Sequence, residues 1–199
     1  MADTAETGQS VRLPVLGMTV AALLAVITVL AATIGLRWAL PDPPAADAPV
    51  QQSQILIADG LTAYRAGDLV AAAEAFSEAI ALAPDDAVAA YDLGTVREAQ
   101  GDESAARDLY TRATELDPTF ADAHFNLAVS QATAGQDTAA IASYRRVLEL
   151  QPDRSAALWN LGLLLHASGE PDEAVALLQQ AVGLDPTLAS RLPEGIDLG

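Results

Sequence analysis

Few residues in this chain are equipped for covalent chemistry. Its 199 residues include two histidines and no cysteine, which removes a thiolate nucleophile, disulfides and thiolate metal sites together. His124 and His166 stand apart, and neither is surrounded by a carboxylate pair, a serine motif or a glycine-rich loop. Neither therefore has the partners that acid–base or nucleophilic catalysis requires. Carboxylates are the abundant ionisable group, 27 against 10 arginines and no lysine, for a formal net charge of −17. Pairs such as Asp85-Asp86 and Asp102-Glu103 lie at the starts of helical patterns. There an acid accepts from free backbone N–H groups and meets the positive end of the helix dipole. They read as caps rather than calcium ligands; no enzyme activity, cofactor or metal is expected.

The residues that do recur keep one spacing. Pro84, Pro118, Pro152 and Pro186 share it with Gly67, Gly101, Gly135 and Gly169. Between these marks fall Ala72, Ala106, Ala140 and Ala174, then Phe76, Tyr110, Tyr144 and Leu178, then Ala79, Ala113, Val147 and Ala181. A unit of 34 residues is thus written four times, as 53–86, 87–120, 121–154 and 155–188. Apolar residues make up 51% and aromatics only 5%, so the filler is chiefly Ala, Leu and Val, small and helix-favouring, and an all-α fold follows.

A unit of this length and order resembles the tetratricopeptide repeat, a helix-turn-helix of 34 residues. Its Leu-Gly pair stands here as Leu93-Gly94, Leu127-Ala128 and Leu161-Gly162, with Asp59-Gly60 in the first unit. The resemblance covers about two thirds of the chain. It implies four units of two helices, each helix about fourteen residues long, stacked into a right-handed superhelical solenoid whose first helices line a concave face.

The same resemblance places the binding groove. The fifth position of each unit gives Ile57, Tyr91, Phe125 and Trp159; the sixth gives Ala58, Asp92, Asn126 and Asn160; Leu61, Val129 and Leu163 lie one helical turn further on. Rings beside amides suit an extended peptide, because the rings bury its side chains while amides pair with its backbone. Glu98 and Asp122 add negative charge, so the expected ligand is an apolar or basic polypeptide segment. The clamp with which chaperone-binding members hold a terminal carboxylate needs basic and Asn side chains. Ile57, Leu61, Asp92, Asp122 and Asn126 stand at the matching places, and only the last could serve.

A second surface is expected at the carboxyl-terminal edge. Val175, Leu178 and Val182 occupy the positions that meet the next unit elsewhere, and no fifth unit follows. The tail 189–199 offers Leu192, Ile196 and Leu198 around Pro193, too little for another helix, so the edge should stay partly open and serve self-association or the partner.

Ahead of the repeats, residues 1–12 read as a disordered tail and 13–38 as a transmembrane helix. The run Leu13–Leu36 carries no charge over 24 residues, and at ~1.5 Å per residue it would span roughly 36 Å, enough to cross a bilayer. Arg12 and Arg37 bracket it, with Trp38 at the interface. A cleaved signal peptide is the rival, since Ala46-Asp47-Ala48 has a small-x-small form. The length of the run, the acids before it and the prolines between it and the triplet count against that reading. Arg12 plus the amino terminus outweigh Arg37 by one charge, which favours repeats on the outer, periplasmic side. Residues 39–52, with four prolines, read as an extended linker.

Inside the repeats seven arginines face twenty-one acids, a net of −14. Such a field repels nucleic acid backbones and anionic lipid. The expectation is a single-pass membrane scaffold that holds a protein segment near the bilayer, an architecture similar to assembly factors of the bacterial envelope and of c-type cytochromes. The alternative is a cytoplasm-facing adaptor that recruits a soluble partner.

Overall fold

The computed structural model describes residues 48–198. The tail, the apolar run and most of the linker expected from the sequence lie outside the described residues. Among the described residues, eight α-helices and one 3-10 helix follow one another without a strand. They are α1 (Ala48–Arg65), α2 (Leu69–Leu82), α3 (Ala87–Ala99), α4 (Glu103–Leu116), α5 (Ala121–Thr133), α6 (Asp137–Leu150), α7 (Ser155–Ala167) and α8 (Pro171–Leu184), then the 3-10 helix Pro186–Arg191. Each odd-numbered helix pairs with the next to make one unit, and each unit packs on its successor, which is the solenoid the period implies. No helix among the described residues is long and apolar enough to cross a membrane.

Each unit turns in the same way. Gly67, Gly101, Gly135 and Gly169 hold φ between +71° and +87°, a left-handed conformation that favours glycine. The N–H after each glycine reaches back five residues, as from Asp68 to the Ala63 carbonyl at 3.0 Å and from Glu170 to Leu165 at 2.9 Å. After the first two of these turns, and at the start of α3, the helix begins on an aspartate cap. Asp68, Asp86 and Asp102 accept from backbone N–H groups at 2.9–3.1 Å, so the acids read as caps include Asp86 and Asp102.

The recurring small and large residues meet inside the stack. Ala72, Ala106, Ala140 and Ala174 are fully or nearly fully buried, as are Phe76, Tyr110, Tyr144 and Leu178. The Leu-Gly pair has a steric reason. A Cβ on Gly94 would lie 2.7 Å from the Tyr110 ring, and one on Gly60 2.8 Å from the Phe76 ring. Between units, Arg112 donates to the Pro84 carbonyl at 2.7 Å and Arg146 to the Pro118 carbonyl at 3.0 Å, a staple that repeats with the unit.

One expectation is corrected, and a second gains detail. The linker was expected to stay extended to Gln52, but α1 already begins at Ala48. Pro49 falls in its first turn, where a missing N–H costs no helical bond, and buried Ser53 ties this helix to α2 by donating to the Ala79 carbonyl at 3.2 Å. At the carboxyl-terminal edge, expected to stay partly open, the tail lies over part of the face. Leu178 is fully buried, and Leu188, Leu192, Ile196 and Leu198 gather with it, Ala181 and Val182 in one apolar cluster. Asp185 accepts from the Thr187 backbone and hydroxyl, which turns the chain so that a short 3-10 helix does the covering. Val175 stays half-buried.

Candidate functional site

The residues expected to line the groove fall into two groups, those that pack with their own unit and those that remain open. The rings belong to the first group. Tyr91 lies 4.9 Å from the Phe120 ring and 5.8 Å from Tyr110, centroid to centroid. Phe125 meets Tyr144 edge-on at 5.9 Å, and the Arg154 guanidinium sits 4.2 Å above its centroid. Trp159 is only 5% exposed, clustered with Leu158, Leu178, Ala181 and Leu188. Phe120, Arg154 and Leu188 are each the last residue of the unit whose ring they join. The chain itself thus covers part of the aromatic ladder: Trp159 is buried, while Tyr91 and Phe125 stay half-buried.

The sixth-position row is divided too. Asn126 donates to the Tyr91 hydroxyl and Asn160 to the Tyr144 hydroxyl, both at 3.2 Å. Burial, then the nearby Asp122 and Asp92, push the Tyr91 phenol above its ordinary range, so it stays a neutral partner for Asn126. Asp92 makes no such pair. It is 9% exposed, and burial, with Asp86 second, raises its carboxyl to about 6. Glu98 accepts from the Tyr110 hydroxyl at 2.6 Å, and Asp122 pairs with Arg154 at 2.6 Å.

The open surface lies further along the first helices. Ile57 and Leu61 are half-buried on α1, as are Val129 on α5 and Leu163 on α7. Val129, Thr133, Tyr144, Asn160, Leu163 and Leu164 line a cleft of about 360 Å³. A smaller hollow of about 80 Å³, bounded by Glu98, Glu103, Val129 and Thr133, shares part of that wall. The cleft is walled mostly by apolar side chains with one amide and two hydroxyls, and acids line the neighbouring hollow. A larger depression of about 500 Å³ between α2 and the end of α3 is lined by Val70, Glu74, Glu78 and Arg97, none of them a residue expected in the groove.

The histidines do not come together. His124 contacts the Pro118 carbonyl at 3.2 Å and burial lowers its pKa, while His166 is exposed on α7. Sequence reasoning did not single out Phe120 and Leu188 as cover for the rings, nor the role of Arg154. The closing position reads Asp86, Phe120, Arg154 and Leu188, and such unlike residues hide a shared place.

Known proteins agree with this architecture. Residues 57–119, 91–153 and 134–189 match the family model described as tetratricopeptide repeat. The crystal structure of the MamA protein is 25% identical with a TM-score of 0.62, over 77% of this chain and 83% of that one. YrrB, described as a TPR protein with an unusual peptide-binding site, is 20% identical with a TM-score of 0.62, over 85% and 88%. The first TPR of Spaghetti (RPAP3), bound to the HSP90 peptide SRMEEVD, is 18% identical with a TM-score of 0.58, over 60% and 94%. No curated protein matches the chain. The period, the glycine turns and the stacked helix pairs have one common explanation: the chain belongs to the tetratricopeptide repeat family.

Proposed function

We propose that this protein is a membrane-anchored scaffold that holds an extended, apolar or basic polypeptide segment in the concave groove of its repeats. The observation that carries the reading is the cleft between α5 and α7. Burying a Leu- or Val-sized side chain against Val129, Leu163 and Leu164 contributes roughly 1.5–3 kcal/mol. Asn160 spends one N–H on Tyr144 and keeps a second N–H and its carbonyl for a peptide backbone. The peptide held by RPAP3 and the peptide-binding site of YrrB support the use of such repeats for polypeptides. The ligand chemistry differs, because an acidic peptide would meet Asp92, Glu98 and Asp122 here.

The groove is tested by Leu163→Glu in the full-length protein. Loss of a central apolar contact of about 2 kcal/mol weakens partner capture roughly thirtyfold, with helix content retained. Unchanged capture would move the partner to another face. The anchor reading rests on Leu13–Leu36, with the repeats on the outer side of the membrane. Retention in the membrane after alkaline carbonate washing is the expected result, and release into the supernatant removes the anchor. A reporter after Gly199 that works only in the cytoplasm would replace the outward scaffold by the inward adaptor.

A further inference from the structure

We infer that Asp92 is the residue with which the groove recognises a basic side chain, the ammonium or guanidinium of a Lys or Arg on the bound polypeptide segment. The inference rests on the groove reading above and adds the place and sign of one contact. In the third and fourth units the sixth position is an Asn spent on a tyrosine hydroxyl. In the second unit it is an acid, and the residues opposite in the repeat register are Ile57 and Phe76, where the later interface has Tyr91 and Tyr110. Neither carries a hydroxyl.

Asp92 is 9% exposed, and no hydrogen bond or ion pair reaches its carboxylate among the described residues. Yet no side-chain oxygen or nitrogen among those residues is both fully buried and unpartnered, so its oxygens still open to solvent. The equivalent Asn160 opens on the cleft with Val129 and Leu163, which puts the Asp92 opening on the same face beside Leu61 and Thr95. The other inward acids are occupied, Glu98 by the Tyr110 hydroxyl and Asp122 by Arg154. Among the inward acids of the described residues, Asp92 is the one left with a charge and no partner.

A carboxylate that has lost most of its water gains more from a cation than a hydrated one does, because the desolvation is already spent. Burial and Asp86 lift its pKa to about 6, so near pH 7 the charged form still leads by about tenfold. A lone metal ion is a poor fit, since no group of three metal-ligating side chains occurs among the described residues. A polypeptide cation brings its own apolar flanks for Leu61 and the later cleft, and the repeats' net charge of −14 draws it in.

The test selects randomised nonapeptides displayed on phage against the full-length protein, its Asp92→Asn variant and its Leu163→Glu variant. Asn already fills this position in two other units, so the first substitution preserves the fold. Wild type is expected to select apolar peptides with Lys or Arg enriched at one place, and Asp92→Asn to keep the apolar pattern but lose that enrichment. A synthetic selected peptide then binds Asp92→Asn roughly tenfold to a hundredfold more weakly than wild type, the range of a charge-assisted contact. Apolar peptides without a basic preference, or a preference that survives Asp92→Asn, would overturn the inference and leave the groove. No selected peptides, or the same set from Leu163→Glu as from wild type, would remove the groove reading and the inference with it.

Discussion

Asp92→Asn should make the protein more stable at neutral pH and leave it unchanged in acid. The folded carboxyl sits at about 6, against 3.8 for the free group, so the folded state holds its proton more tightly than the unfolded chain does. Stability from this group is complete below pH ~4 and falls as pH rises through about 6, because folding then requires a charge to leave water. The difference of about two units corresponds to roughly 3 kcal/mol at about 1.36 kcal/mol per unit. Because the oxygens retain solvent contact, screening reduces the effect to about 1 kcal/mol. Asn has the same shape without the charge. On a domain of this size its gain is about 2–4 °C in Tm, read by circular dichroism at 222 nm near pH 8, and the two proteins should converge near pH 4. Adding Phe76→Tyr to the same variant should raise Tm again, because it supplies a hydroxyl at the place of Tyr144, the one used by Asn160. A Tm difference independent of pH, or a less stable variant at pH 8, would refute the reasoning.

Other substitutions separate packing from binding. Gly94→Ala places a methyl 2.7 Å from the Tyr110 ring and should cost about 1–3 kcal/mol through overpacking, seen as an earlier denaturant midpoint. Trp159→Ala removes a 5% exposed ring and should cost about 3–5 kcal/mol; a loss of partner capture with stability intact would show the ring to be a contact residue instead. Arg154→Gln uncovers Phe125 and frees Asp122, and because this pair is partly exposed it should lower stability by less than about 1 kcal/mol, measured by urea titration.

What could be seen in the sequence depended on whether a position repeats its residue type. The turns were legible because only glycine suits their backbone, and the core because Ala72 and its equivalents must be small where helices touch. The start of α1 was hidden, since prolines that disfavour a helix interior are harmless in its first turn, and only position distinguishes the cases. The fate of the amides was also hidden. Asn126 meets Tyr91 in the unit before it and Asn160 meets Tyr144 on the neighbouring second helix, contacts that no local spacing announces. The way the tail packs was hidden as well: a 3-10 helix buries Leu188, and Leu192, Ile196 and Leu198 after it gather on the same apolar cluster.

The position that closes each unit tolerates Asp86, Phe120, Arg154 and Leu188 while the helices around it keep one plan. In three of the four units that residue joins the ring on the same unit's first helix, by an aromatic contact, by a guanidinium or by an aliphatic side chain. The rim of the groove can thus change between apolar and charged one unit at a time, through a residue in a connecting turn, without disturbing the alanines and glycines on which the stacking depends. Partner preference and fold are written at separate addresses along the same chain, so a new ligand can be acquired by descent, or by design, without a new scaffold.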